Sequence, residues 1–226
     1  MKTIFRILFA FVVSWSLCHA QGEQDKVPTG FIRLVNCVAE GKGTLKLEID
    51  GKDMRSQGYK LGDATGGIAL GPGGRKITIK KEGVEEGSTT IQLEKDQTVT
   101  VIPYAEKIPA TDESPAHLAI RILRLKQRTV ESARTATFVS VSGMPELKAE
   151  VQGSDSNWSS AFVKRLSISE VSLTNSVGYA PVKINGSPGK PIPIGGLGNY
   201  VIVLYDDTEG KVQSLYFRDF KFLSAD

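Results

Sequence analysis

The chain has 226 residues, 28 of them basic and 25 acidic, with two histidines and two cysteines. That near balance argues against nucleic acid as a partner, since binding it needs a clustered basic face that displaces counterions. So few histidines and cysteines leave no ligand set for a zinc site of the common kind, and no cofactor motif is present.

The N-terminus reads as a secretory signal. Lys2 and Arg6 give a positive start, Ile7 to Val13 an apolar core, and Cys18-His19-Ala20 a cleavage site before Gln21. The uncharged stretch from Ile7 to Gly22 is 16 residues, short of the roughly 20 that a spanning helix needs. Residues 1–20 are therefore expected to be removed, leaving a mature chain without a transmembrane segment. Cys18 does not read as an acylated anchor, because Leu17 stands where such signals want a small residue. Cleavage takes away two bases, leaving 26 against 25 acids and a net charge near +1. It also leaves one cysteine, Cys37, so no intramolecular disulfide is expected although the compartment would allow one. The remaining chain has room for two domains of roughly 100 residues.

After a tail at 21–28, strand signals recur from Thr29, and no apolar pattern of helical period lasts three turns. Leu45, Leu47 and Ile49 alternate with Lys46, Glu48 and Asp50, giving one buried and one wet face, and Asp50-Gly51 follows as a turn. The same alternation marks Ile77 and Ile79, Ile91 and Leu93, and Val99 and Val101. Gly71-Pro72-Gly73-Gly74 and Glu85-Glu86-Gly87 read as turns. Residues 107–115 carry two prolines, three charges and little to bury, which predicts an interdomain linker.

The β pattern restarts with Leu118, Ile120 and Ile122, and a phase change at Leu123 and Leu125 predicts a bulge. Further strands are expected at Ala136–Val141, Leu147–Val151, Leu166–Leu173, Pro181–Ile184, Tyr200–Tyr205 and Gln213–Phe222. Val201-Ile202-Val203-Leu204 is apolar on both faces and should lie centrally, and Asp206–Gly210 should be a hairpin tip. The expected fold is all-β, two tandem immunoglobulin-like or transthyretin-like β-sandwiches over 29–106 and 116–226.

Catalytic constellations fail on inventory. A serine or cysteine triad needs a base that titrates near working pH, and His117 is the one histidine of the mature chain, with no nucleophile elbow near it. Cys37 ends an apolar strand, as a small core residue does. Asp206, Asp207 and Glu209 read either as an acidic turn capped by Gly210 or as carboxylates for glycoside hydrolysis. The glycines from Gly66 to Gly74 lack the spacing of a phosphate loop. Trp158, in the polar stretch Ser154–Ser160, either stacks on a sugar ring or covers a core edge, and Tyr59 and Tyr179 carry the same ambiguity as ligand contacts.

Phe31-Ile-Arg-Leu-Val-Asn36, Leu47-Glu-Ile-Asp-Gly-Lys52, the run from Leu70 to Ile79 and Gln97-Thr-Val-Thr-Val-Ile102 resemble a recurring bacterial exported sandwich domain of unknown function. With Leu118–Leu125 and Asn199–Leu204, the two-domain layout is similar to the periplasmic accessory protein of alginate O-acetylation. With the signal pattern and the failed catalytic inventory, the expectation is a secreted or periplasmic, non-catalytic binding or structural protein whose partner is a protein or glycan of the cell envelope. A factor in exopolysaccharide modification is the alternative, and a carboxylate-based glycan hydrolase a third; no oligomeric state follows from the sequence.

Overall fold

A computed structural model describes residues 28–130, 132–174 and 177–219, and every regular element among them is a β-strand. The expected signal peptide with Cys18, the tail up to residue 27 and the end of the last strand from Phe220 lie outside the described residues.

In chain order the strands are β1 (Gly30–Leu34), β2 (Lys42–Ile49), β3 (Lys52–Asp53), β4 (Ile68–Leu70), β5 (Gly73–Glu82), β6 (Val84–Leu93), β7 (Thr98–Ile108) and β8 (His117–Lys126). Then follow β9 (Arg134–Ser140), β10 (Glu146–Gln152), β11 (Trp158–Lys164), β12 (Ile168–Ser172), β13 (Gly178–Ala180), β14 (Val182–Ile184), β15 (Ser187–Pro188), β16 (Ile192–Ile194), β17 (Gly198–Asp206) and β18 (Val212–Asp219).

The first eight run in the order β3-β2-β5-β6-β8-β7-β1-β4, and the two halves of this sheet join at one residue pair, Glu85 with Ala119. Leu45, Leu47, Ile77 and Ile79 from one half meet Ile32, Leu34, Val99 and Val101 from the other in a first core. The later strands form two four-stranded sheets, β11-β10-β14-β15 and β12-β9-β17-β18, with β13 and β16 paired beside them. Leu147, Ala149, Val151, Phe138, Ile202 and Leu204 fill a second core between those sheets.

A third core lies between these two assemblies. Val35, Cys37, Ile102 and Tyr104 pack there against Val139, Val201, Val203 and Leu215. The inner strands are therefore apolar on both faces: β7 sends Val99 and Val101 to the first core and Ile102 and Tyr104 to the third. β17 divides in the same way, with Ile202 and Leu204 on one side and Val201 and Val203 on the other. As expected from its sequence, β17 is central, paired with β9 and β18.

Two expectations are corrected. Residues 107–115 do not link two domains, because β7 and β8 pair antiparallel through ten residue pairs, from Val99 with Lys126 to Ile108 with His117. Residues 109–116 are a hairpin loop, and the chain changes sheet between β8 and β9 instead. Proline and charge suit a loop as well as a linker, so composition did not separate the two. Nor does β8 bulge: its register is unbroken, and the phase change arises because Ile120 and Ile122 face the first core while Leu123 and Leu125 face the third.

The third core holds an ion pair. Arg33 and Asp219, 2% and 6% exposed, approach to 3.5 Å, with the guanidinium 4.2 Å from the centre of the Phe217 ring. Arg33 Nη1 also donates to Thr100 Oγ1 at 3.4 Å, and the Arg128 backbone N–H donates to Asp219 Oδ2 at 2.7 Å. Burial raises the Asp219 carboxyl above its ordinary range and lowers the Arg33 guanidinium, each partly opposed by the partner's charge.

Removing one partner strands the other as a buried charge. Asp219→Ala should cost about 3–5 kcal/mol in chemical denaturation, and Arg33→Met added to Asp219→Leu should recover most of it. Because the folded-state pKa of Asp219 is raised, this carboxyl stabilises most below about pH 4, and its contribution is lost as pH climbs through the raised value. Stability should fall over that climb more steeply in the wild type than in Asp219→Asn. The hairpin makes a separate forecast: a chain nicked within 109–116 should elute from native gel filtration as one particle, and separated fragments would restore the linker.

Candidate functional site

Outward positions on the outermost sheet gather the strongest candidate site. In β10 and β11, Leu147, Ala149 and Val151 point into the second core, so their partners Val163, Ala161 and Ser159 share that face. The alternate positions face solvent, which places Gln152 beside Trp158, Glu150 beside Ser160 and Lys148 beside Phe162. Glu150 pairs in turn with Lys183 of β14. Ala180, Val182 and Ile184 point inward, so Tyr179, Pro181 and Lys183 alternate outward along the same chain.

Trp158 and Phe162 thus share one face, and Tyr179 projects outward from β13 in the two-stranded sheet beside it. Trp158 is half-buried, Phe162 63% exposed and Tyr179 75% exposed. Trp158 and Phe162 stand four residues apart on one strand, about 13 Å at the usual rise. Trp158 is set by a tight turn before it: Gly153 N–H donates to the Asn157 carbonyl at 2.8 Å, and Asp155 accepts from the Asn157 backbone and side-chain N–H groups at 3.1 and 2.9 Å. Lys183 places its ammonium 4.0 Å from the centre of the Trp158 ring. Lys148 pairs with Glu150 at 2.8 Å, so that carboxylate is engaged along its own strand.

The sequence singled out Trp158 and Tyr179, and the structure places them on different sheets, Trp158 half-buried on β11 and Tyr179 exposed on β13. Tyr59 is corrected: at 5% exposure it belongs to the first core, bridged through its backbone to Leu45, and its ring is not a surface contact. Phe162 was missed, although Trp158-Ser159-Ser160-Ala161-Phe162-Val163 carries the alternation that would have placed it.

Other residues with chemical potential are held in structural roles. Asp206 accepts from Ser142 Oγ at 2.6 Å and Gly143 N–H at 2.7 Å. Asp207 accepts the backbone N–H groups of Glu209 and Lys211, both at 2.9 Å, and these bonds with Gln213 hold its carboxyl below the ordinary range. A general acid for glycoside hydrolysis needs the opposite shift. Cys37 is buried, which pushes its thiol well up. His117 pairs with Glu85 at 2.6 Å beside a cleft at the joint of the first sheet. Gly71 turns the chain for Arg75, whose Nη2 donates to its carbonyl at 2.6 Å and whose Nη1 reaches Asp50 at 3.0 Å. Among the described residues no group of three His, Cys, Asp or Glu could hold a metal ion.

No family model matches the chain, and no curated protein matches it. Among solved structures, the Bacillus anthracis TIE protein matches with 8% identity, 78% of this chain and 50% of that one covered, and a TM-score of 0.25. The chain spans half the length of that protein's chain, and a likeness so loose carries nothing over.

The two tyrosines should separate on truncation. Tyr59→Ala should cost about 3–5 kcal/mol, because it opens a cavity in the first core. Tyr179→Ala should change stability by less than about 0.5 kcal/mol. Urea denaturation of both variants checks the assignment.

Proposed function

We propose that this is an exported, non-catalytic binding protein of a bacterial cell envelope, and that the outer face of β10, β11 and β14 binds a glycan. Its strands would form two sandwich units of the immunoglobulin-like or transthyretin-like kind, joined rigidly through the third core. The observation that carries the reading is the pair of outward rings Trp158 and Phe162 on one sheet face among Gln152, Glu150, Lys148 and Lys183, with Tyr179 exposed on the neighbouring β13. Flat rings offer apolar area to the apolar side of a pyranose, and interleaved amides, ammoniums and carboxylates can pair with its hydroxyls. A protein that merely needed solubility would carry polar residues at such positions. The role is to hold a polymer, as the expected accessory factor of exopolysaccharide modification would, and the occupied acceptors of Asp206 and Asp207 favour it over hydrolysis.

Trp158→Ala should weaken binding to polysaccharides that the wild type retains by roughly fivefold to tenfold, as loss of about 1 kcal/mol of stacking implies. Melting temperature should stay within a few degrees, since the ring lies outside all three cores. Affinity electrophoresis in gels cast with cell-envelope polysaccharides measures the first and calorimetry the second. Unchanged affinity with lost stability would make Trp158 a structural residue and overturn the site.

A further inference from the structure

The turn that sets Trp158 also holds a residue with a chemistry of its own. Asn157-Trp158-Ser159 has the asparagine, the residue other than proline and the hydroxyl of an N-glycosylation acceptor, a pattern with meaning only in an exported chain. Asp155 adds an acid two places before the asparagine, the further requirement of bacterial oligosaccharyltransferases, whose cationic groups can pair with it. Asn185-Gly186-Ser187 carries the shorter pattern too, but Lys183 stands where the acid would be.

The fold separates the two asparagines further. Ser154, Asp155, Ser156 and Asn157 are all exposed, at the tip joining β10 to β11, and β11 is an edge strand of its sheet. Ser156 N–H donates to the Gly153 carbonyl at 3.0 Å and Ser156 takes a φ of 64°, so the chain doubles back just before Asn157. The atom that would react, Asn157 Nδ2, donates to Asp155 Oδ2 at 2.9 Å. That bond, with the Asn157 backbone N–H donating to Oδ1 at 3.1 Å, holds the Asp155 carboxyl below its ordinary range, so it stays charged at the surface. Ser159, on β11, is exposed as well.

Asn185 is placed otherwise. It opens the two-residue turn between β14 and β15 at a φ of 48°, and its side-chain amide is built into the sheet. Oδ1 accepts from the Lys148 backbone N–H at 2.8 Å, and Nδ2 lies 3.9 Å from Met144 Sδ. Turning this amide toward an enzyme would take the acceptor from that N–H.

We infer that Asn157 is an N-glycan acceptor of the folded, exported chain, selected by Asp155, and that Asn185 is not. The inference rests on the export proposed above and not on polymer binding at the neighbouring face. In the transfer, Asn157 Nδ2 forms a bond to the anomeric carbon of a polyprenyl-diphosphate oligosaccharide. That carbon's bond to the phosphate oxygen breaks, the polyprenyl diphosphate leaves with the electron pair, and the amide proton passes to a base of the transferring enzyme.

The folded mature chain is incubated with a bacterial single-chain oligosaccharyltransferase and a short polyprenyl-diphosphate oligosaccharide, and its peptides are read by mass spectrometry with electron-transfer fragmentation. The added mass should fall on Asn157, within the tryptic peptide Ala149–Lys164, with Asn185 bare. Asp155→Asn should slow transfer about tenfold or more, the scale of one lost charge-assisted hydrogen bond. Ser159→Ala should abolish transfer and Ser159→Thr should keep it, which separates loss of the hydroxyl from damage to the turn. The same peptide of the protein recovered from its own host should carry an oligosaccharide.

No transfer to the folded chain, or transfer to Asn185 as readily as to Asn157, would overturn the assignment. Undiminished transfer to Asp155→Asn would do the same, since the acid would then select nothing. A bare Asn157 in exported host protein would overturn the modification and leave the binding proposal standing. Host protein held inside the cell with residues 1–20 attached would instead overturn the export on which both depend.

Discussion

The molecule is governed by the burial of its two inner sheets on both faces. β7 and β17 lie in adjacent layers, and each must satisfy a core on its far side as well as the one they share. Neither face of such a strand reaches water, so β17 runs apolar on both, and on β7 even the alternate Thr98 and Thr100 are buried. The shared core is where the two assemblies are held in one arrangement, and an apolar surface alone would let them slide. Arg33, clasped by Asp219 and stacked on Phe217, adds a directional contact that works in one register only. Its burial has an energetic cost, and the gain is definition of how the layers meet.

Much of this was legible in the sequence, and the failures are physical. Leu45 to Ile49 announced a strand with one wet face, and Val201 to Leu204 announced a strand with none. Leu118 to Leu125 carried the same two-sided message, yet a change of apolar phase looks identical whether a bulge or a second core causes it. The stretch 107–115 was read as a boundary for a related reason. Turn chemistry reports that the chain is exposed there, and says nothing about whether the flanking strands pair with each other.

The candidate site shows the same division. Trp158 and Tyr179 could be named from their polar neighbours, but nothing local says that their segments come together, since 20 residues separate them and the link runs through Gln152 and Pro181. Tyr59 sits in an equally polar stretch and ended in the core because its backbone bridges Leu45. Loop polarity predicts where a backbone is wet; it does not predict where a ring goes. The face also depends on its position. Among the described residues no other sheet packs on the outer side of this layer, so rings can stand there without disturbing a core.

Cys37 turns the central packing into something that can be watched. It is the single cysteine among the described residues, it lies where the two assemblies meet, and burial keeps its thiol protonated and shielded. A thiolate is the species that reacts with alkylating reagents, so Cys37 of the folded protein is inert toward them until that junction opens. Labelling kinetics would then read out the separation of the two assemblies directly, at one atom and without an introduced probe. The same protection means that the Cys37 thiol is open to mispairing only while the chain folds, before the junction has closed.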